Sequence, residues 1–287
     1  MEWERAKSYL LLFFILLNLT LGGLLLLERR RYTVTPEREQ AIITIMNQNN
    51  IAMGTRLMRR FPPMRGMYVS GFYYDEYQLA EIFFGDADVH HVSTQHRHVF
   101  TYGEARLVIA HGFISYDNPQ GHGGEEGRPA VLCRMEARRL SDNFVEGNWP
   151  DFSLDDVFIG LDWLRLSYRQ VYRGHVIHTN FIEIIVTDMG IVQVEMQYSQ
   201  VLEMADDTRP IVAPDLALLT FVQRIRAISN TQAYPMVIDH MDLVYFQLEG
   251  STDPDGSYPV VPFYRVFIYG DGGDPFLINA FTNEIIN

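Results

Sequence analysis

Residues 174–202, GHVIHTNFIEIIVTDMGIVQVEMQYSQVL, decide the fold because they hold two long β-rich segments on either side of a turn. Valine and isoleucine recur through residues 174–186 and 191–202, and such side chains favour strands. The intervening residues 187–190 contain Asp188 and Gly190, which suit the backbone of a tight turn. This stretch therefore predicts an antiparallel β-hairpin.

The segments on either side of the hairpin carry shorter helical and strand patterns. Ser153 with Asp156 three residues later resembles a capping box and predicts a helix start. Thr35 followed by Pro36 and an acidic turn predicts another. Helices are expected over residues 36–49, 75–84 and 153–168 and from Pro214 onward. Strands are expected over residues 67–74, 98–102, 106–115, 174–186, 191–202, 236–248, 264–269 and 275–281, with a loop over residues 117–129.

Helices in this pattern are interspersed with antiparallel hairpins instead of alternating regularly with single strands. That arrangement favours an α+β fold with helices packed on sheet faces, and it argues against a doubly wound nucleotide-binding sheet. We expect two such mixed units, residues 32–150 and residues 151–287, divided near Trp149-Pro150.

The N-terminal run YLLLFFILLNLTLGGLLLL, residues 9–27, contains no charged side chain. As a helix it would extend about 28 Å, which matches the hydrocarbon thickness of a bilayer. No A-x-A-like cleavage site follows it, so the run predicts an uncleaved transmembrane helix behind a short tail, residues 1–8. Arg5 and Lys7 precede the run and three arginines, residues 29–31, follow it. The charges alone leave its orientation open.

Four polar or small residues interrupt the apolar run: Asn18, Thr20, Gly22 and Gly23. Asn18 and Gly22 are four residues apart and share one helix face. Membrane helices recognise each other through such residues, so all four are candidates for binding a partner helix. The alternative is that lipid tolerates Asn18, and glycine is ordinary in membrane helices.

The charge balance excludes nucleic acid as a partner. The chain has a formal net charge of -13, and after residue 31 it holds 18 basic and 33 acidic residues. Binding to nucleic acid requires a basic surface, which this composition does not provide.

A histidine cluster is the strongest sign of catalysis or metal binding. It contains His90, His91, His96 and His98, with Asp86 and Asp88 just ahead of them. His96 and His98 would share one face of a strand, and with Asp88 they could bind zinc. The alternative is a solvated polar strand, and no HExxH motif supports the metal.

Other features give no chemistry on which a reaction could rest. Residues 251–256 and 271–274 faintly resemble calcium loops but lack the full spacing, and hairpin turns explain them. Cys133 lies among apolar residues and is expected to be a small buried side chain. The chain has none of the nucleophile-elbow or phosphate-loop motifs. We therefore expect a non-enzymatic protein without a cofactor.

Both ends of the chain resemble the YycI (WalI) family. The resemblance lies in residues 1–7 (MEWERAK), Leu17-Asn18, and residues 216–221 (LALLTF), 241–246 (MDLVYF), 261–266 (VPFYRV) and 278–284 (INAFTNE). The chain has Tyr264 where the family commonly has Trp, and Asn283 where Gly is frequent.

The resemblance implies a YycH/YycI-like fold and a single-pass membrane protein with a cytoplasmic N-terminus and an extracytoplasmic C-terminal region. It implies a regulator that acts with a YycH-like partner on a sensor histidine kinase of the YycG (WalK) type, which controls cell-wall metabolism. Contact would occur through the transmembrane helix and the extracytoplasmic region. Two other functions stay open: a membrane-anchored zinc enzyme using the His90–His98 region, and a PepSY-like surface scaffold or inhibitor.

Overall fold

The computed structural model describes residues 2–71, 75–95, 97–110, 112–123, 133–228, 235–248, 256–270 and 274–286. Within them the helices are α1 (Glu2–Arg31), α2 (Pro36–Gln48), α3 (Glu76–Phe84), α4 (Arg134–Asn148) and α5 (Pro214–Ile228). The strands are β1 (Ile51–Met53), β2 (Met64–Val69), β3 (His90–Thr94), β4 (Arg97–Tyr102), β5 (Ala105–Ala110), β6 (Phe113–Gly123), β7 (Phe152–Ile159), β8 (Leu164–Tyr172), β9 (His175–Thr187), β10 (Gly190–Gln197), β11 (Val201–Arg209), β12 (Met236–Gln247), β13 (Tyr258–Ile268), β14 (Phe276–Asn279) and β15 (Ile285–Ile286). The predicted α+β class is confirmed, with a large mixed sheet.

The chain forms two compact units, and each is built from separate stretches of sequence. The terminal unit comprises Met1–Met64, Thr208–Asp242 and Phe263–Asn287, and the central unit comprises Arg65–Asp207 and Leu243–Pro262. The boundary expected at residue 150 falls inside the central unit, because β6 before it pairs with β10 after it.

An antiparallel sheet forms most of the central unit. Its strands lie in the order β3-β4-β5-β6-β10-β9-β8-β7. The predicted hairpin is confirmed as β9 and β10, with Gly190 paired to Thr187 at the turn. Its second strand is shorter than the expected 191–202, because β10 ends at Gln197 and Val201 begins β11. On its other side the sheet continues from β9 to β12, β13, β2 and β11. The β12–β9 pairing is parallel, at Tyr245 and Ile177, so the sheet is mixed.

One hydrophobic core lies between this sheet and the helices α3 and α4. The inward side chains of β9 alternate with period two, as Ile182, Ile184 and Val186 are buried. Both helices bury residues in the same cluster, for example Phe83 of α3 and Val145 of α4, so they cover the same sheet face. Each such large apolar side chain contributes about 1.5–3 kcal/mol on burial.

The helix predicted over residues 153–168 is wrong, because that segment forms the hairpin β7–β8. Leu164, Leu166 and Tyr168 are buried with period two, which is the strand period. The Ser153–Asp156 spacing is therefore no helix cap. The predicted loop over residues 117–129 is also wrong in part, since β6 runs to Gly123 before the chain leaves the described residues.

The terminal unit packs α2 against α5 and adds short strands to both ends of its sheet. Strand β1 pairs in parallel with β12, and β13 pairs with β14, which pairs with β15. The predicted start of α2 is confirmed, because the Thr35 side chain accepts a hydrogen bond from the Arg38 amide and Pro36 opens the helix. The amphipathic α5 expected from Pro214 is confirmed too, with Leu218 and Phe221 fully buried.

Candidate functional site

Helix α1 is long and apolar enough to cross a membrane, and the described residues contain one such helix. Its Lys7–Leu24 portion is wholly unburied. Large apolar side chains are exposed all around it, including Leu10, Phe13 and Leu19. A helix with no polar face is unsuited to water and suited to hydrocarbon or to the surface of other apolar helices.

Asn18 and Thr20, within the apolar run of α1, are each hydrogen-bonded to the backbone of the helix. Asn18 Nδ2 donates to the Phe14 carbonyl oxygen at 2.8 Å, and Thr20 Oγ1 donates to the Leu17 carbonyl oxygen at 2.8 Å. Such bonds lower the cost of placing a polar group in an apolar medium. An asparagine amide has two N–H donors and an acceptor, so this bond uses only part of what Asn18 can offer a partner.

The four candidate partner-binding residues lie on two faces of α1. With about 100° of rotation per residue, Asn18 and Gly22 share one face, and Thr20 and Gly23 lie together on another. A shallow groove runs along the Thr20 side, lined by Tyr9, Leu12, Phe13, Leu16, Leu17 and Thr20. A Cβ added at Gly22 or Gly23 would meet no atom within 4 Å, so the chain itself does not need glycine there.

A short, hydrogen-bonded segment joins α1 to the rest of the terminal unit. The Val34 amide donates to the Arg59 carbonyl oxygen at 2.8 Å, and the Phe61 amide donates to the Tyr32 carbonyl oxygen at 3.1 Å. The rings of Tyr32 and Phe61 meet edge to face, and Val34 is buried. Four residues separate α1 from α2. Their contacts with residues 59–61 make them part of the folded unit, in contrast to a free linker.

The next element, α2, is fixed to α5 by a bidentate ion pair. Arg38 donates from Nε to Asp215 Oδ2 at 2.9 Å and from its terminal nitrogen to Oδ1 at 2.8 Å. The Asp215 side chain is only 9% exposed. Two parallel bonds to one carboxylate fix orientation as well as distance. From Tyr32 through α2 to α5, each step after α1 is therefore held by defined contacts.

The histidine cluster forms an aromatic stack on the sheet, with members that its sequence spacing did not indicate. Strand register brings His91 opposite Phe100 and places His98 beside it on the same face. The rings of His91 and Phe100 stack with centroids 4.1 Å apart, and those of His91 and His98 are 5.6 Å apart. Tyr77 from α3 meets the His91 ring edge on. Glu76 Oε1 lies 3.8 Å from His98 Nδ1.

The zinc set suggested by the sequence is not assembled by the residues that the structure describes. In these ranges no three His, Cys, Asp or Glu side chains are arranged to hold a metal ion. Asp88 and His90 are exposed, and His96 lies outside the described residues. Among the described residues, His91 Nε2 and His98 Nδ1 are buried and have no hydrogen-bond partner, while the Glu76 carboxylate lies near His98, so the stack is an aromatic packing cluster with an acidic neighbour.

The remaining sequence candidates lie at surfaces or outside the described ranges. Cys133 is exposed just before α4, so the expectation that it is buried is wrong. Cys133 is the residue that precedes the first turn of α4, and the residues that the helix buries, Ala137, Ser141 and Val145, lie further along the chain. Residues 251–255 and 271–273 of the calcium-like loops lie outside the described residues.

Comparison with known proteins gives the fold. No protein-family model matches the chain, and no curated protein matches its sequence. An uncharacterized protein from Eubacterium rectale is similar in structure, with a TM-score of 0.56 and 11% identity, over 83% of this chain and 90% of that one. The C-terminal domain of YpeB from Bacillus megaterium aligns with a TM-score of 0.42 and 10% identity, over 76% of this chain and 97% of that domain. At such identities the likeness concerns the fold alone.

Proposed function

We propose that this protein is a membrane-anchored, non-enzymatic regulator of a sensor histidine kinase of the YycG (WalK) type. Helix α1 spans the membrane with its N-terminus in the cytoplasm, and the rest of the chain after α1 lies outside. The protein acts together with a YycH-like partner, and it contacts both proteins through α1 and through its extracytoplasmic region. The resemblance of residues 1–7 and 216–284 to the YycI family supports this assignment.

The observation that carries the proposal is the stiff connection between an exposed apolar helix and a folded unit. Tyr32 and Val34, just after α1, are hydrogen-bonded to Phe61 and Arg59, and α2 is fixed to α5 through Arg38 and Asp215. A simple membrane tether needs only a flexible linker. A hydrogen-bonded connection transmits a rotation or shift of the rest of the terminal unit to α1. A regulator of another membrane protein requires such transmission.

The energy needed is small. A coupling free energy of about 1–3 kcal/mol changes an equilibrium by roughly 5- to 150-fold. Packing one helix face against a kinase transmembrane helix supplies a bias of this size when the contact differs between the two kinase states. No catalytic group is needed for this mechanism.

The two faces of α1 suit two partners. Asn18 with Gly22 offers a close-packing face that has one polar side chain. Thr20 with Gly23 offers a second, beside the groove lined by Leu16 and other apolar residues. Each face can therefore hold one neighbour without displacing the other. We assign one face to the kinase and the other to the YycH-like protein.

The test is co-purification of the full chain with the kinase and the YycH-like protein of the same genome, in mild detergent. Two matched variants each replace one face, Asn18→Leu with Gly22→Leu, and Thr20→Leu with Gly23→Leu. Each is expected to lose one partner by at least about tenfold and to retain the other. Both leave the fold intact, since the glycine positions are open to solvent or lipid.

A third variant tests the stiff connection. Insertion of a six-residue Gly-Ser linker after Arg31 is expected to preserve binding of both partners and to abolish the effect on kinase output. The proposal is refuted if neither face variant loses a partner. The transmission mechanism is refuted if the linker variant regulates the kinase like the native chain.

A further inference from the structure

A hairpin tip in the central unit presents an exposed aromatic and aliphatic cluster. The turn between β7 and β8 carries Ile159 and Leu161 on either side of Gly160. Leu161 is fully exposed, and Phe158 and Ile159 are 41% and 45% exposed. Exposed apolar clusters of this kind mark interaction surfaces in soluble domains. Neither the transmembrane mechanism nor the core accounts for this one.

The cluster has a defined geometry. The rings of Trp163 and Phe158 stack with centroids 5.5 Å apart. The Arg165 guanidinium lies over the Phe158 ring, 5.5 Å from its centroid. The Gly160 amide donates to the Trp163 carbonyl oxygen at 2.9 Å, which closes the turn. A Cβ at Gly160 would lie 2.4 Å from the Trp163 ring. The absence of a side chain at Gly160 therefore allows the indole to lie against the backbone. The stacked side chains of Trp163, Phe158 and Arg165 form a preformed surface.

The surroundings of the tip are acidic. Asp156 and Asp162 are exposed within the same hairpin. Leu164 pairs with Val186, so the β9–β10 turn with Asp188 lies at the same end of the sheet. Three carboxylates, Asp156, Asp162 and Asp188, thus lie at the same end of the sheet as the apolar cluster, in which the Arg165 guanidinium is stacked on Phe158.

We propose that this tip docks into a folded protein partner whose surface has an apolar pocket bordered by lysine or arginine side chains. Tryptophan, tyrosine and arginine side chains carry most of the binding energy in protein interfaces. Charged side chains around such a centre steer the association of the two proteins. A second copy of this chain would bring the same carboxylates together. An anionic lipid surface would repel them. The inference rests on the proposed function for the partner's identity, which is the outer domain of the kinase or of the YycH-like protein.

The experiment is site-specific photocrosslinking in membranes that contain the full chain, the kinase and the YycH-like protein. p-Benzoylphenylalanine replaces Leu161, whose full exposure means that the change does not disturb packing. The control position is Tyr102, an exposed aromatic residue at the β4–β5 turn of the same unit. We expect the photocrosslinker at position 161 to form an adduct with the kinase or the YycH-like protein, in a yield at least about fivefold higher than at position 102. The yield at position 161 should fall in high salt, because salt screens the attraction between opposite charges.

Two variants link the adduct to the apolar cluster. With the photocrosslinker placed at Ile159, Leu161→Asp adds a charge to the apolar tip without touching the core, and Gly160→Ala displaces the Trp163 ring. Each is expected to lower the adduct yield by about tenfold. Equal yields at Leu161 and Tyr102, an adduct between two copies of this chain, or an adduct with lipid alone would each overturn the docking proposal.

The outcomes also separate the two proposals. If the full chain co-purifies with the kinase while Leu161 gives no adduct, the docking inference fails and the proposed function stands. If the photocrosslinker at Leu161 gives a salt-sensitive adduct with the YycH-like protein, and the kinase never co-purifies and its output does not change, the docking inference stands and the proposed regulation of the kinase fails.

Discussion

His122 is a half-buried titratable residue near the end of β6, and its ring contacts two aromatic rings. Its ring lies 6.0 Å from the Phe144 ring of α4 and 6.4 Å from the Tyr116 ring. Burial lowers the pKa of His122 below its ordinary value of about 6.5, because the charged imidazolium loses water there. The neutral form is therefore the one that the folded core accepts.

The lowered pKa makes folding depend on pH in a known direction. Between the folded pKa and about 6.5 the unfolded chain binds more protons than the folded chain, so stability is complete above pH 6.5 and declines as pH falls. His122→Phe is expected to remove part of this decline. Thermal unfolding of the full chain in detergent, from pH 8 to pH 5, measures it. An unchanged pH dependence in the variant would show that His122 is solvated in both states.

Residue patterns located the histidine cluster but not its arrangement. The spacing of His96 and His98 suggested a pair on one strand, whereas the stacked pair is His91 and His98 from adjacent strands. That pairing depends on strand register, which places Ser93 opposite His98. Register is set by contacts between strands, so a local pattern could not specify it.

At the scale of elements, local signals succeeded where one period of burial dominated. The β9–β10 hairpin and the capped α2 follow directly from alternating apolar residues and from Thr35-Pro36. The helix prediction over residues 153–168 was wrong because the spacing of Ser153 and Asp156, which suits a helix cap, also occurs in a strand with exposed acidic residues. Helix α4 was missed because its buried face mixes small and polar residues, Ala137 and Ser141, with Val145, so no continuous apolar stripe marks it in the sequence. Packing, and not propensity, selects these elements.

Gly121 shows how tightly β6 approaches the β9–β10 turn. Its φ is +77°, and an added Cβ would lie 2.0 Å from the Met189 carbonyl oxygen. Gly121→Ala is expected to cost at least about 3 kcal/mol, since backbone strain adds to a clash that no side chain can relieve. Gly103→Ala is the matched control, because its φ is +58° with no atom within 4 Å. It should cost only about 1–2 kcal/mol. Equal losses in urea unfolding would contradict the close approach.

At the scale of the whole molecule, the division into two compact units could not be read from local sequence patterns. Each unit is assembled from distant stretches, since residues 208–242 and 263–287 join the N-terminal residues. Strands β12 and β13 each contribute residues to both units. Composition and hydrophobic periodicity report on neighbours in sequence, and they contain no information on which distant segments pair. The apolar N-terminal helix was predictable because its length and composition are local properties.

The orientation of the molecule can be tested with its own chemistry. Cys133 is the only cysteine in the 287 residues, and its side chain is exposed. If α1 places the C-terminal region outside, a membrane-impermeant maleimide labels intact cells as fully as permeabilised ones, because the charged reagent cannot cross the bilayer. Cys133→Ser should abolish the signal, and the labelled band should keep the mass of the full chain. Labelling only after permeabilisation would place the chain after α1 in the cytoplasm, an orientation that the charges flanking the helix leave open.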